Sequence, residues 1–124
     1  LTDEETQLVR EHVKIGSELL TQIPSMSPVA EIVAAHHERW DGKRDGTHPA
    51  YPGQLQGEEI PRGARLLKIA DTYDALISGR PYSKAVSIET ASKLVRREAG
   101  RSFDPNMIEP FLDSAHDLAL AGAP

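Results

Sequence analysis

The sequence predicts an all-α protein, a helical bundle of about five helices. Apolar residues recur three and four positions apart through most of the chain, and capping residues stand where those periodic stretches begin. Nowhere do apolar and polar residues alternate over the length of a strand. With aromatic residues at only 5% of the 124, the core has to be aliphatic, built on Leu, Ile, Val and Ala.

The first helix opens on Thr2-Asp3-Glu4-Glu5, a capping box in which Thr2 and Glu5 satisfy each other's backbone amides. Leu8, Val9, His12, Ile15, Gly16, Leu19, Leu20 and Ile23 follow at helical spacing, until Pro24 stops the run. Ser27-Pro28 restarts a helix, since proline is tolerated in a first turn. Val29, Ile32, Val33, His36, His37 and Trp40 mark its expected buried side, and Asp41-Gly42 its end. Residues 43–60, KRDGTHPAYPGQLQGEEI, are rich in glycine, proline and turn formers. Loops of that length in small domains are functional or mobile, and 43–56 is expected to be the most mobile internal segment, beside the pocket that Asp41 leads from. From Pro61 a third helix is expected to about Ser78, with Leu66, Ile69, Ala70, Tyr73 and Leu76 inward. GRPYSKAVS breaks it. Ser87 caps a fourth helix that Gly100 ends. Asp104-Pro105 opens a fifth, packed through Met107, Ile108, Phe111 and Leu112, and the tail LALAGAP is expected to fray. No repeat or internal linker divides the chain.

A formal charge of −5 argues against duplex DNA or RNA as a partner, because such binding rests on a basic surface that neutralises phosphates. A small anionic ligand in a local basic pocket is compatible with it. The absence of cysteine excludes disulfides and thiolate metal sites and fits a cytoplasmic setting. No apolar run is long enough for a membrane segment, and no signal-peptide pattern is visible. The chain begins on Leu rather than Met and is read as part of something longer.

Chemistry concentrates in three places. His36 and His37 are expected on a helix, where neighbouring side chains diverge by about 100° and would serve two adjacent ions, or one ion and a water. His12 lies on the apolar stripe of the preceding helix. One such histidine is ordinarily a satisfied core residue; three on the inner faces of consecutive helices point to a metal, for which imidazole is a common ligand. In IADTYDAL, Asp71 and Asp74 share a face. Asp74 reads as a surface charge. Asp71, bordering the apolar stripe, reads as a ligand, since a histidine cluster needs a carboxylate to offset the metal's charge. Arg80 and Lys84 follow directly; beside a metal pocket they could grip phosphate oxygens, Arg80 by a fork and Lys84 as a point charge.

Together these segments resemble the C-terminal part of an HD-GYP domain over residues 2–112, a bacterial family whose active members hydrolyse cyclic di-GMP. LTDEETQLVREHVKIGSELL resembles the family's helix with a ligand histidine, which falls on His12. HHERWDG resembles HHExxDG, at His36, His37, Glu38, Asp41 and Gly42. YPGQLQGEEIP continues the GYP segment at Tyr51-Pro52, ARLLKIADTYDALISGRPYSKA carries the last metal aspartate, Asp71, and the RPY motif, and FDPNMIEPFL resembles the closing helix. Each motif alone is weak; the set is specific. The family's His-Asp doublet lies upstream of this region, so residues 1–124 are expected to be the C-terminal portion of one HD-GYP domain. The GYP loop is altered: an insertion follows Gly42, and Ala50 stands where glycine is expected, which demands a different loop path.

The resemblance implies a metal-dependent phosphodiesterase acting on cyclic di-GMP in bacterial signalling. Two or three divalent ions, iron or manganese, would be held by His12, His36, His37 and Asp71 in the complete domain. Glu38 and Asp41 would support the ligands from behind, and Arg80, Lys84 and Tyr51 would bind substrate. An upstream receiver or sensor domain is implied. The competing reading is a degenerate, inactive module that senses cyclic di-GMP or docks onto a GGDEF or PilZ partner. A purely structural bundle would require every His and Asp match to be accidental. Alone, the chain is expected to bind metal weakly and hydrolyse nothing. The insertion reads as a lid, a docking surface or a tolerated surface loop, and its His48 as an exposed residue binding nothing.

Overall fold

The computed structural model describes residues 2–43, 52–53 and 55–122, with backbone alone at Thr6, Val9, His12, Thr21, Pro24 and 118–122. Five α-helices follow in order among these residues: α1 Asp3–Thr21, α2 Ser27–Ala35, α3 Arg62–Ser78, α4 Ile88–Arg97 and α5 Ile108–Gly122. Short 3-10 turns cover Pro24–Met26 and Gly57–Glu59, and no strand forms among the described residues. The expected capping box is formed: Glu5 N donates to Thr2 Oγ1 at 3.1 Å and Thr2 N to Glu5 Oε2 at 3.0 Å. Ser87 caps α4, accepting from Thr90 N at 3.1 Å. The last helix continues to Gly122, where fraying was expected from residue 118. The expectations for His48, Ala50 and Tyr51, and most of the loop over 43–56, lie outside the described residues.

α3 is the spine. Its Ile69 and Tyr73 enter a cluster with Ala91 and Val95 of α4, Phe103, and Ile108 and Leu112 of α5. Tyr73 meets Phe111 edge-on, with ring centroids 5.4 Å apart. One turn earlier, Ala64 joins a second cluster with Ala35 and Ile60, against which Ile32 and Leu55 pack. Here α2 and α3 approach closely: a Cβ on Gly63 would lie 2.6 Å from Ile32 Cδ1. Arg65 fastens this end of α3. It donates to the Ile60 carbonyl at 2.9 Å and pairs at 2.8 Å with Asp104, which is 3% exposed.

Three expected burial patterns differ from what forms. Leu66 is exposed, because the inward stripe of α3 runs through Ala64, Ile69 and Tyr73. Leu8, Ile15, Leu19 and Ile23 of the α1 stripe and its exit are each at least half exposed, as α1 rests on α2 by its other side. Val29 on α2 is exposed as well.

Candidate metal centre

The second helix ends sooner than its pattern suggests. α2 stops at Ala35, and His36 and His37 occupy a turn beyond it. The expectation of a helical histidine pair with divergent side chains is therefore corrected: the two rings lie together, centroids 4.0 Å apart and tilted by 45°. The causes are local and tertiary. The His36 ring satisfies a helix-end carbonyl, Nδ1 standing 2.7 Å from Val33 O. Downstream, Trp40 N donates to Ser102 O at 3.2 Å and Asp41 N to Arg101 O at 2.9 Å, drawing the chain away from the helix axis.

His36, His37 and Asp71 form a group whose potential ligand atoms all lie within 4.8 Å of one another. Both histidines are half-buried and Asp71 is exposed, so the group opens to solvent on the α3 side. A carbonyl only accepts, so the bond to Val33 O puts a proton on His36 Nδ1 and leaves Nε2 its lone pair. Burial, then the neighbouring charges of His36, Lys68 and Arg10, pushes the His37 pKa down to about 3. Its imidazole is thus neutral at physiological pH, the state a ligand needs. Two imidazole nitrogens and a carboxylate oxygen suit a borderline divalent ion. With metal–ligand bonds of about 2 Å, ligands on one ion stand at most about 4 Å apart, so a slight closing of side chains completes the fit.

The surroundings fix this turn. Glu38 is 1% exposed, and its two carboxylate oxygens accept from the amides of Gly53 and Leu55, gathering the chain on the far side of the 44–51 segment. Arg39 and Asp41 pair through two bonds of 2.9 Å, and Asp41 also accepts from Lys43 N at 3.0 Å. The bond from Arg39 chiefly holds the Asp41 carboxyl below its usual range. Gly57 N donates to Trp40 O at 2.9 Å. Gly42 has φ +69°, and a Cβ there would lie 2.8 Å from Gln56 Cβ, so this turn requires glycine.

Of the other expected site residues, the His12 side chain and Tyr51 lie outside what the structure describes; α1 carries the His12 backbone. Arg80 and Lys84 are exposed just beyond α3. A tight turn holds Arg80, whose N and O pair with Ser83 O and N at 2.8 and 3.0 Å, and its guanidinium lies 3.7 Å from Asp74. Asp74 is the surface charge expected of it. Lys68 escaped the sequence reading. It lies one turn before Asp71, donates to the His37 carbonyl at 3.4 Å, and burial pushes its pKa down to about 8. Its spacing from Asp71 was the available signal, but a lone lysine on a helix ordinarily reads as a solvated charge.

The chain is similar to a cyclic di-GMP phosphodiesterase of Vibrio cholerae serotype O1, 43% identical over 119 residues, covering 90% of the chain and 23% of that protein. It is similar to a cyclic di-GMP phosphodiesterase of Thermotoga maritima, at 36% over 116 residues, covering 90% of the chain and 29% of that protein. A 3'3'-cGAMP-specific phosphodiesterase of Vibrio cholerae serotype O1 is 35% identical over 115 residues, or 91% of the chain and 21% of its own length. The chain thus spans about a quarter of the curated relatives it matches. The HD domain family matches residues 1–107, taking in all three cluster residues, with the turn and the helix that carry them. The chain belongs to the HD domain family.

Proposed function

We propose that this chain is the C-terminal portion of an HD-GYP domain and supplies one wall of a phosphodiesterase site that opens cyclic di-GMP to a linear dinucleotide. The observation that carries the reading is the His36–His37–Asp71 group, in a chain similar over nine-tenths of its length to cyclic di-GMP phosphodiesterases. A divalent metal held there, iron or manganese, supplies the Lewis acid and the activated water of phosphodiester hydrolysis. His36 offers Nε2, His37 a neutral ring, and Asp71 the carboxylate that offsets the ion's charge. His12 is the further ligand from α1, and the remaining positions of a site for two or three ions belong to helices that precede this segment. Those helices would cover the exposed stripe of α1. Glu38 and Asp41 keep the histidine turn in shape. Arg80 forks onto a phosphate, with Lys84 as a second cation and Tyr51 against the ligand. Such signal turnover belongs in the cytoplasm. A receiver or sensor domain upstream, and GGDEF or PilZ partners, would connect it to regulation.

The test uses the longer protein that contains this segment. Loaded with manganese or iron under reducing conditions, it should convert cyclic di-GMP to linear pGpG or GMP, resolved by chromatography. His37→Ala and Asp71→Ala should each lower turnover by at least about a hundredfold. Turnover unaffected by either substitution refutes the site. A protein that cleaves only 3'3'-cGAMP refutes the substrate and leaves the site standing.

A further inference from the structure

Where α2 ends, several backbone carbonyls lose their intrahelical partners. The Val33 carbonyl is met by the His36 ring and the Ala35 carbonyl by Glu38 N at 3.0 Å. The His37 carbonyl is met from another helix, by the Lys68 ammonium of α3. α2 has no basic residue in its last turn, so Lys68 also supplies the cation that the negative end of a helix favours. Lysine heads normally reach for water, and desolvating one has a cost. Lys68 is nevertheless half-buried, with its head on this carbonyl. Three residues on, along the same face of α3, stands Asp71. One stretch of helix thus carries both the cluster's carboxylate and a hook on the backbone immediately after the second of its two imidazoles.

We propose that Lys68 is a positioning residue for the metal cluster, holding the His37 carbonyl so that the His36-His37 turn faces Asp71 at ligand distance. The proposal rests on reading that cluster as a metal site. Bare electrostatics predicts the opposite effect on binding. An ammonium beside a cation site repels the cation, so deleting it would tighten metal binding unless its geometric role dominates.

The test compares the longer protein that contains this segment with its Lys68→Met and Lys68→Arg variants. Cobalt(II) is titrated and followed by its visible absorption, and the histidine ring nitrogens are recorded by NMR without metal. Lys68→Met should weaken cobalt binding about tenfold and alter the absorption band. Its melting temperature should stay near that of the unchanged protein. Lys68→Arg, which can still donate to the carbonyl, should recover most of the affinity. In the metal-free protein Lys68→Met should shift the ring resonances of His36 and His37 and leave His116 unmoved. Cobalt binding as tight as, or tighter than, that of the unchanged protein overturns the proposal, as do unmoved His36 and His37 resonances. If the unchanged longer protein binds no cobalt, the metal reading fails, and the ring spectra alone decide the positioning role.

Discussion

The Glu38 carboxylate, buried beside the metal cluster, binds the amides of Gly53 and Leu55. Replacing it by an isosteric amide leaves one acceptor and turns an NH2 group towards a backbone N–H. Glu38→Gln should therefore destabilise the chain by about 2–3 kcal/mol, read from urea unfolding. A change below about 0.5 kcal/mol would mean that the two amides find other partners. His37 makes a second prediction, through protons. Its folded pKa is depressed to about 3 from 6.5, so below pH 6.5 the unfolded chain binds a proton that the folded chain refuses. Stability must then fall as pH drops from 6.5 towards 3. Between pH 7 and 5, before most carboxylates titrate, the melting temperature should fall, and the fall should be shallower in His37→Gln. Equal slopes would place the His37 ring in water. The residue types in this site were legible from the sequence, because His-His-Glu and an Asp on a helix suggest ligands wherever they stand. What Glu38 and Lys68 hold was not, since each acts on the backbone of a distant segment and backbone partners leave no mark on composition.

At the scale of elements, caps and stops written in neighbouring residues were readable, and ends imposed from afar were not. Thr2 with Glu5 and Ser87 with Thr90 start α1 and α4 as expected. The end of α2 was expected after Trp40, because Val33, His36, His37 and Trp40 keep helical spacing. It comes at Ala35 because residues 40 and 41 hydrogen-bond to 101 and 102, sixty positions away in the chain. The same long-range seam contains Arg65, which joins α3 to the approach to α5 through Asp104 and stands 5.9 Å from the centre of the Trp40 ring. Asp104 is nearly sealed from water, and its other oxygen accepts from Asn106 N at 2.9 Å. Arg65→Met would strand that carboxylate without its cation. It should cost about 3 kcal/mol or more and change the emission of Trp40, the chain's single tryptophan. Loss of stability with unaltered emission would separate the ion pair from the seam around Trp40.

For the molecule as a whole, the two clusters meet in α3, while α1 stands outside both. Helical periodicity correctly marks α1 as amphipathic, but it cannot say what lies against the apolar face, and here that face is largely open. Burial decides what each leucine contributes: Leu112 is 6% exposed within the α3–α4–α5 cluster, whereas Leu19 is 64% exposed. Leu112→Ala should cost about 2–4 kcal/mol through lost transfer energy and the cavity left behind. Leu19→Ala should change the stability of the 124-residue chain by less than about 0.5 kcal/mol. In the longer protein the two substitutions should converge. If preceding helices of the same domain pack on α1, Leu19 becomes a core residue there and its truncation should approach the cost at Leu112. Urea unfolding of both substitutions in both lengths of chain measures this directly. A Leu19→Ala that stays neutral in the longer protein would refute the packing of upstream helices against α1, and with it the account of this chain as one part of a larger domain core.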